Sequence, residues 1–186
     1  MRSTLLALML ACAATASASP SGGEIVARLA GTPIHAEELA LHLARHRALV
    51  AVHFQLKHGI TLDDEAGWLK SHGGEVPREI LRQRAMESCL HDKAIQILAA
   101  KHGLGRLLPF PGFARHVESV NRQRADASSQ GGRIHGPTRF TEWQFYRYEI
   151  DNMRIRLVRS LEPGASNTGG QNLVDAAVRE LIDNRP

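Results

Sequence analysis

His42, His46 and His53 are the first residues whose type and spacing could do chemistry. The step from His42 to His46 places two imidazoles on adjacent turns of a helix, a geometry that holds zinc when a third strong ligand joins it. His53 does not supply that ligand, because at roughly 1.5 Å of rise per residue it lies about 10 Å beyond His46. One ion cannot reach both. A metal held by this face is therefore the lesser reading, below three others: satisfied core histidines, a face turned to a partner, or a pH-sensitive surface, since imidazole titrates near neutrality.

Other candidate chemistry is thinner. Cys89 has His91 and His102 near it in sequence, but neither is one helical turn away, so a thiolate nucleophile lacks its base and Cys89 reads as a small buried hydrophobe. Asp63, Asp64 and Glu65 are three consecutive acids without further ligands. They read as the charged first turn of a short helix, with Trp68 after them capping the core. Gly131-Gly132 lacks the Lys-Ser/Thr ending of a phosphate loop and the strand before it. No Ser/His/Asp set, paired carboxylates or cofactor motif can be defended from spacing, so neither a cofactor nor a catalytic residue is assigned.

The aromatic residues are more suggestive. Trp143, Phe145 and Tyr146, with Tyr148 beside them, make up four of the nine aromatics of the chain. On a helix opened by the capping box of Thr141 and Gln144 they divide between two neighbouring strips. One strip should pack in the core and the other is a candidate peptide-binding patch.

These residues must be positioned by helices. The stretch Gly73–Leu104 reads as a central helix, with Pro77 suited to its first turn and Gly103 to the left-handed residue beyond its end. Leu81, Ser88, Ile95 and Ala99 fall on one side of it and Met86, Leu90 and Ile97 on nearly the opposite side, with Arg78, Arg82, Lys93 and Gln96 left to solvent. Two stripes imply two packing neighbours. Before it, residues 24–34 read as a short hairpin or a strand running into a turn. A helix follows to about His58, with Leu39, Leu43, Leu49, Val50, Phe54 and Leu56 on its apolar face and Glu37 and Glu38 in its first turn, where the dipole favours them. After it come a short helix from Phe113 to Ala125, a polar loop over 126–137, the aromatic helix to Leu161, a linker over 162–170, and a terminal amphipathic helix capped by Asn172. The fold class is mainly α.

Residues 1–18 read as a signal peptide: Arg2, an apolar run from Leu5 to Ala14, and a small-residue cleavage site at Ala16-Ser17-Ala18. Export to the periplasm is expected, with lipid anchoring through Cys12 as a lesser alternative. Removing those 18 residues from 186 leaves 168, enough for one moderate core, and lowers the net charge from +4 to +3 because Arg2 departs. Cys89 is then the single cysteine and cannot form an internal disulfide. The basic residues are mostly arginines interleaved with acids, which is a solvated face and not a nucleic-acid footprint.

The turn Ala30-Gly31-Thr32-Pro33-Ile34, the long helix after it, the connection Trp68 to Pro77 and the ending Ala100-Lys101-His102-Gly103-Leu104 together carry a resemblance. So do Gly131 to Pro137, Phe140-Thr141-Glu142, Tyr146-Arg147-Tyr148 and Asn152-Met153-Arg154 downstream. Over residues 25–161 the chain resembles the N-terminal chaperone segment of the SurA/PrsA type of exported foldases. The resemblance implies a helical SurA-like domain over 19–161 that holds unfolded or partly folded exported polypeptides. Members usually add a parvulin prolyl isomerase domain; the stretch after Leu161 is too short for one, so the chain is expected to be a prolyl isomerase family member in name only. The competing reading is a helical accessory protein serving one partner.

Overall fold

Alternation over residues 25–29 and a two-residue turn at Ala30-Gly31 fold the start of the described chain into a hairpin. Both turn residues are left-handed, with φ of 46° and 76°, as a tight hairpin turn demands. The computed structural model describes residues 23–161 and 167–184. Strand β1 (Ile25–Leu29) pairs antiparallel with β2 (Thr32–His35), and helices α1 (Ala36–His58), α2 (Glu65–Leu69), α3 (Pro77–Lys101), α4 (Phe113–Ser129), α5 (Glu142–Leu161) and α6 (Asn167–Asp183) follow. The architecture is mainly helical with this short two-stranded sheet. The leader read over 1–18, Cys12 with it, and the linker residues 162–166 lie outside the described residues.

Helix ends fall where their chemistry puts them. Gly59 ends α1 in a left-handed conformation and donates its N–H to Gln55 O. Pro77 opens α3, and at its far end Leu104 N–H reaches Ala99 O while Gly103 N–H reaches Ala100 O. That pair of bonds is the Schellman closure a glycine permits. Asp64 caps α2 by accepting from Gly67 N–H at 2.7 Å. Thr141 and Gln144 exchange reciprocal bonds of 3.0 and 3.2 Å at the start of α5, the expected capping box.

The central helix α3 packs on α1 along one side and on α5 and α6 along the other. The larger core gathers Leu29, Ile34, Leu90, Ile95, Phe113, Tyr146, Ile150 and Leu157, and a smaller one joins Val50, Phe54, Trp68 and Leu81. No helix among the described residues is long and apolar enough to cross a membrane.

Four expectations are corrected. Lys93 and Gln96 do not face solvent: they are 2 % and 0 % exposed, because Glu38 of α1 is buried opposite them. On α1, Leu49 and Leu56 point outward, since apolar residues occur all round this helix and its periodicity does not single out one face. Helix α4 continues past Ala125 to Ser129. Asn172 lies inside α6 and does not cap it, because the helix begins at Asn167 and runs through Gly169-Gly170. Gly170 is needed there: a Cβ on it would meet Val158 Cγ1 at 2.7 Å, so the bare backbone lets α6 approach α5.

Candidate client-binding groove

Two series at helical spacing, Leu39-Leu43-Arg47 on α1 and Arg78-Arg82-Met86 on α3, run side by side where the two helices face each other. With Val26 from β1 and Leu81 they line a cleft of about 850 Å³. Leu39 and Met86 pack against the larger core, whereas Leu43 and Leu81 belong to the smaller one. The cleft is thus the seam at which the two clusters part, and its floor is continuous with both.

The rim is cationic. Arg47 lies over the Trp68 ring at 4.3 Å from its centroid, which fixes the guanidinium on an aromatic face. Arg78 pairs with Glu65, and both partners are largely solvent-exposed. Arg82 has no hydrogen-bond or ion-pair partner among the described residues. Nearby, burial and then the charges of Arg45 and Arg84 push the His46 imidazole down from its ordinary value. An apolar floor under arginine donors can hold an apolar chain segment and orient its polar groups. In the sequence, the groove's signal is the i, i+4 series carried by each of the two helices, which does not by itself show that they are adjacent.

The three histidines do not share one site. His42 is fully buried between α1, α3 and α5, with Nδ1 at 3.0 Å from Ser88 Oγ and Nε2 at 3.1 Å from Tyr146 Oη. Asp92 Oδ2 is 4.0 Å from the same Nε2, and Arg147 Nη1 is 3.4 Å from that carboxylate. Ser88, His42 and Asp92 resemble a hydrolytic triad in composition only. Neither Ser88 nor His42 lines the groove, and burial pulls the imidazole down to about 4, leaving a poor general base. His53 sits far along α1, 3.5 Å from Glu75, which also receives Lys57 at 2.8 Å and His58 at 3.2 Å. The tight turn at Gly73-Gly74 delivers Glu75 to that end of α1, and these partners, Lys57 first, hold its carboxyl down at about 2. No group of three or more His, Cys, Asp or Glu side chains is placed to hold a metal ion among the described residues.

The His42 environment gives an expected pH dependence. Asp92 favours the charged imidazole; burial, His46, Arg147 and Lys93 oppose it, and the balance lowers the folded value from 6.5 to about 4. Between those values the unfolded chain binds a proton that the native one refuses, so stability falls as pH falls through this window. The loss from this residue should approach about 3 kcal/mol by pH 4. Denaturant titrations from pH 7.5 downward should show it, and His42→Gln should flatten most of the slope. An equal slope in the variant would assign the acid sensitivity elsewhere.

Of the aromatic candidates, Phe145 and Tyr146 are buried, so the client-facing reading of these two gives way to a core one. Trp143 is half-buried, stacked on Tyr146 at 5.7 Å. Tyr148 alone of the four is exposed, at 52 %. Cys89 is free and fully buried, and burial pushes its thiol far up, away from any nucleophilic role.

No family model matches the chain, and no solved structure matches it. One curated relative, named a chaperone for lacto-N-biosidase, from Bifidobacterium longum subsp. longum, is 26% identical over 152 residues. The match covers 82% of this chain and 52% of the relative, so the chain spans about half the length of the curated protein it matches.

Proposed function

We propose that this chain is a chaperone that holds apolar segments of incompletely folded polypeptides in the groove between α1 and α3. The observation that carries the reading is the groove itself: an open, apolar floor joined to both cores and edged by arginines. The relative named as a chaperone supports it, as does the resemblance to SurA/PrsA foldases read from residues 25–161. The leader-like residues 1–18 support an exported, periplasmic place of work. The relative's name, which specifies one enzyme, favours a second reading in which the client is a single dedicated partner.

Stoichiometric amounts of the purified chain should slow the light scattering of an unrelated, thermally unfolding protein. The double substitution Val26→Ser/Met86→Ala should weaken that effect, by about 1–3 kcal/mol of client affinity, from loss of buried apolar area. Tyr148→Ala should leave it unchanged; a loss there would move the client surface to α5. If the wild-type chain leaves scattering unchanged, general holding fails. The dedicated reading then requires that co-expression raise the soluble yield of one exported enzyme, and absence of both effects overturns the proposal.

A further inference from the structure

Resting on the reading of the groove as a client site, we infer that its occupant is an acidic apolar segment: a stretch of client chain that combines aliphatic or aromatic side chains with Asp or Glu. The floor selects the first part and the rim the second. Three guanidiniums surround the apolar floor, and each stands ready for a carboxylate in a different way. Arg47 is held over Trp68 at 4.3 Å and has no acid partner among the described residues, so its N–H donors are oriented but unmatched. Arg82 has no partner among the described residues. Arg78 is engaged by Glu65, but in an exposed pair of the kind that adds little stability, so a client carboxylate can take the place of Glu65.

The neighbouring acids do not cancel this field. Glu87 accepts from Gln83 on the same helix, and Glu79 does not line the cleft. Arg45 and Arg84, which do not line the cleft, add positive charge near His46 on the same two helices. A basic client segment would place like charges against the rim; an acidic one meets complementary donors that also suit bidentate carboxylate geometry.

Fluorescence anisotropy on the purified chain tests this with three labelled peptides in which leucine and phenylalanine alternate with glutamate, glutamine or lysine. The glutamate peptide should bind about tenfold tighter than the glutamine one at low salt, and the lysine peptide weakest. The advantage should shrink toward parity at about 0.5 M salt, where exposed charges are screened. Arg47→Gln/Arg82→Gln should bring the glutamate and glutamine peptides to equal affinity, and circular dichroism melts should show the variant folded. Equal affinity for the glutamate and glutamine peptides, with Val26→Ser/Met86→Ala still weakening both, would overturn the acidic preference and leave the client site standing. A preference that survives the arginine substitutions would place its source outside the groove and overturn the inference. Failure of every peptide to bind would overturn the client site as well.

Discussion

Tyr146→Ala should cost about 3–5 kcal/mol of folding stability, the range for deleting a large aromatic from a packed core. Its ring is fully buried and meets Trp143, His42, Phe113 and Phe110 with centroids between 5.3 and 6.3 Å away. Its hydroxyl is the partner of His42 Nε2 at 3.1 Å. Burial, then Asp92 and Glu38, drives the phenol well above its ordinary value, so the hydroxyl keeps its proton and can serve this bond at any physiological pH. Tyr146→Phe separates the two contributions: it keeps the ring contacts and leaves one imidazole nitrogen unmatched, at about 1–3 kcal/mol. Urea titrations of both variants measure the difference. If Tyr146→Ala lowers client binding while stability holds, the core assignment is wrong and the aromatic strip returns as a client surface.

The contrast between Phe145 and Tyr148 shows what the sequence could and could not reveal about that strip. Spacing on α5 separates residues 145 and 148 onto adjacent strips, but it cannot say which strip meets α3 and α4. The contacts say it: Phe113 and Phe140 close over Phe145 and leave Tyr148 at the edge. Legible features were those fixed by local chemistry, such as the Ala30-Gly31 turn, Gly59, Pro77, Gly103 and the Thr141/Gln144 box. Each satisfies its neighbours within a few residues, so a window of sequence contains the whole argument.

Long-range polar pairing was not legible. Glu37 and Glu38 look like ordinary first-turn acids, and the helix dipole is a sufficient local reason for both. In the fold, Glu37 reaches the start of α4 instead, accepting from Gly112 N–H at 2.7 Å and Ala114 N–H at 3.3 Å. It caps a helix far away in sequence. Similarly, Asn121 exchanges two bonds with the backbone of Phe140, at 2.9 and 2.8 Å, and so ties the segment before α5 to α4. Charged and amide side chains such as Lys93 and Gln96 are usually exposed, and only the position of Glu38 on the facing helix reverses that here. The groove was hidden for a related reason: its two lining series lie on helices separated by α2 and two turns, and their adjacency is a property of the packing.

That buried pairing carries the other large expected effect. Glu38 is fully buried, with Oε2 at 2.7 Å from Lys93 Nζ and Oε1 accepting from Gln96 Nε2 at 3.1 Å. Gln96 in turn accepts from Leu108 N–H at 3.1 Å, so the cluster ties α1, α3 and the segment after α3 together. Burial pushes the Glu38 carboxyl up, and Lys93 and then Gln96 pull it partly back. Lys93→Met removes the largest of those restraints and should cost about 3–5 kcal/mol at neutral pH, because it leaves a buried carboxylate uncompensated. The cost should depend on pH in a stated direction. With its folded value raised further above 4.5, Glu38 in the variant keeps a proton that the unfolded chain releases. Stability of Lys93→Met should therefore fall as pH rises from about 4.5 toward neutrality, and the penalty should be smallest near pH 4. Adding Glu38→Gln removes the orphaned charge and keeps an acceptor for Gln96, so the double variant should regain most of the loss and lose the pH slope. A loss below about 1 kcal/mol for Lys93→Met, or one independent of pH, would mean that water or another cation reaches Glu38 and that the pair is not the closed, buried contact that joins these helices.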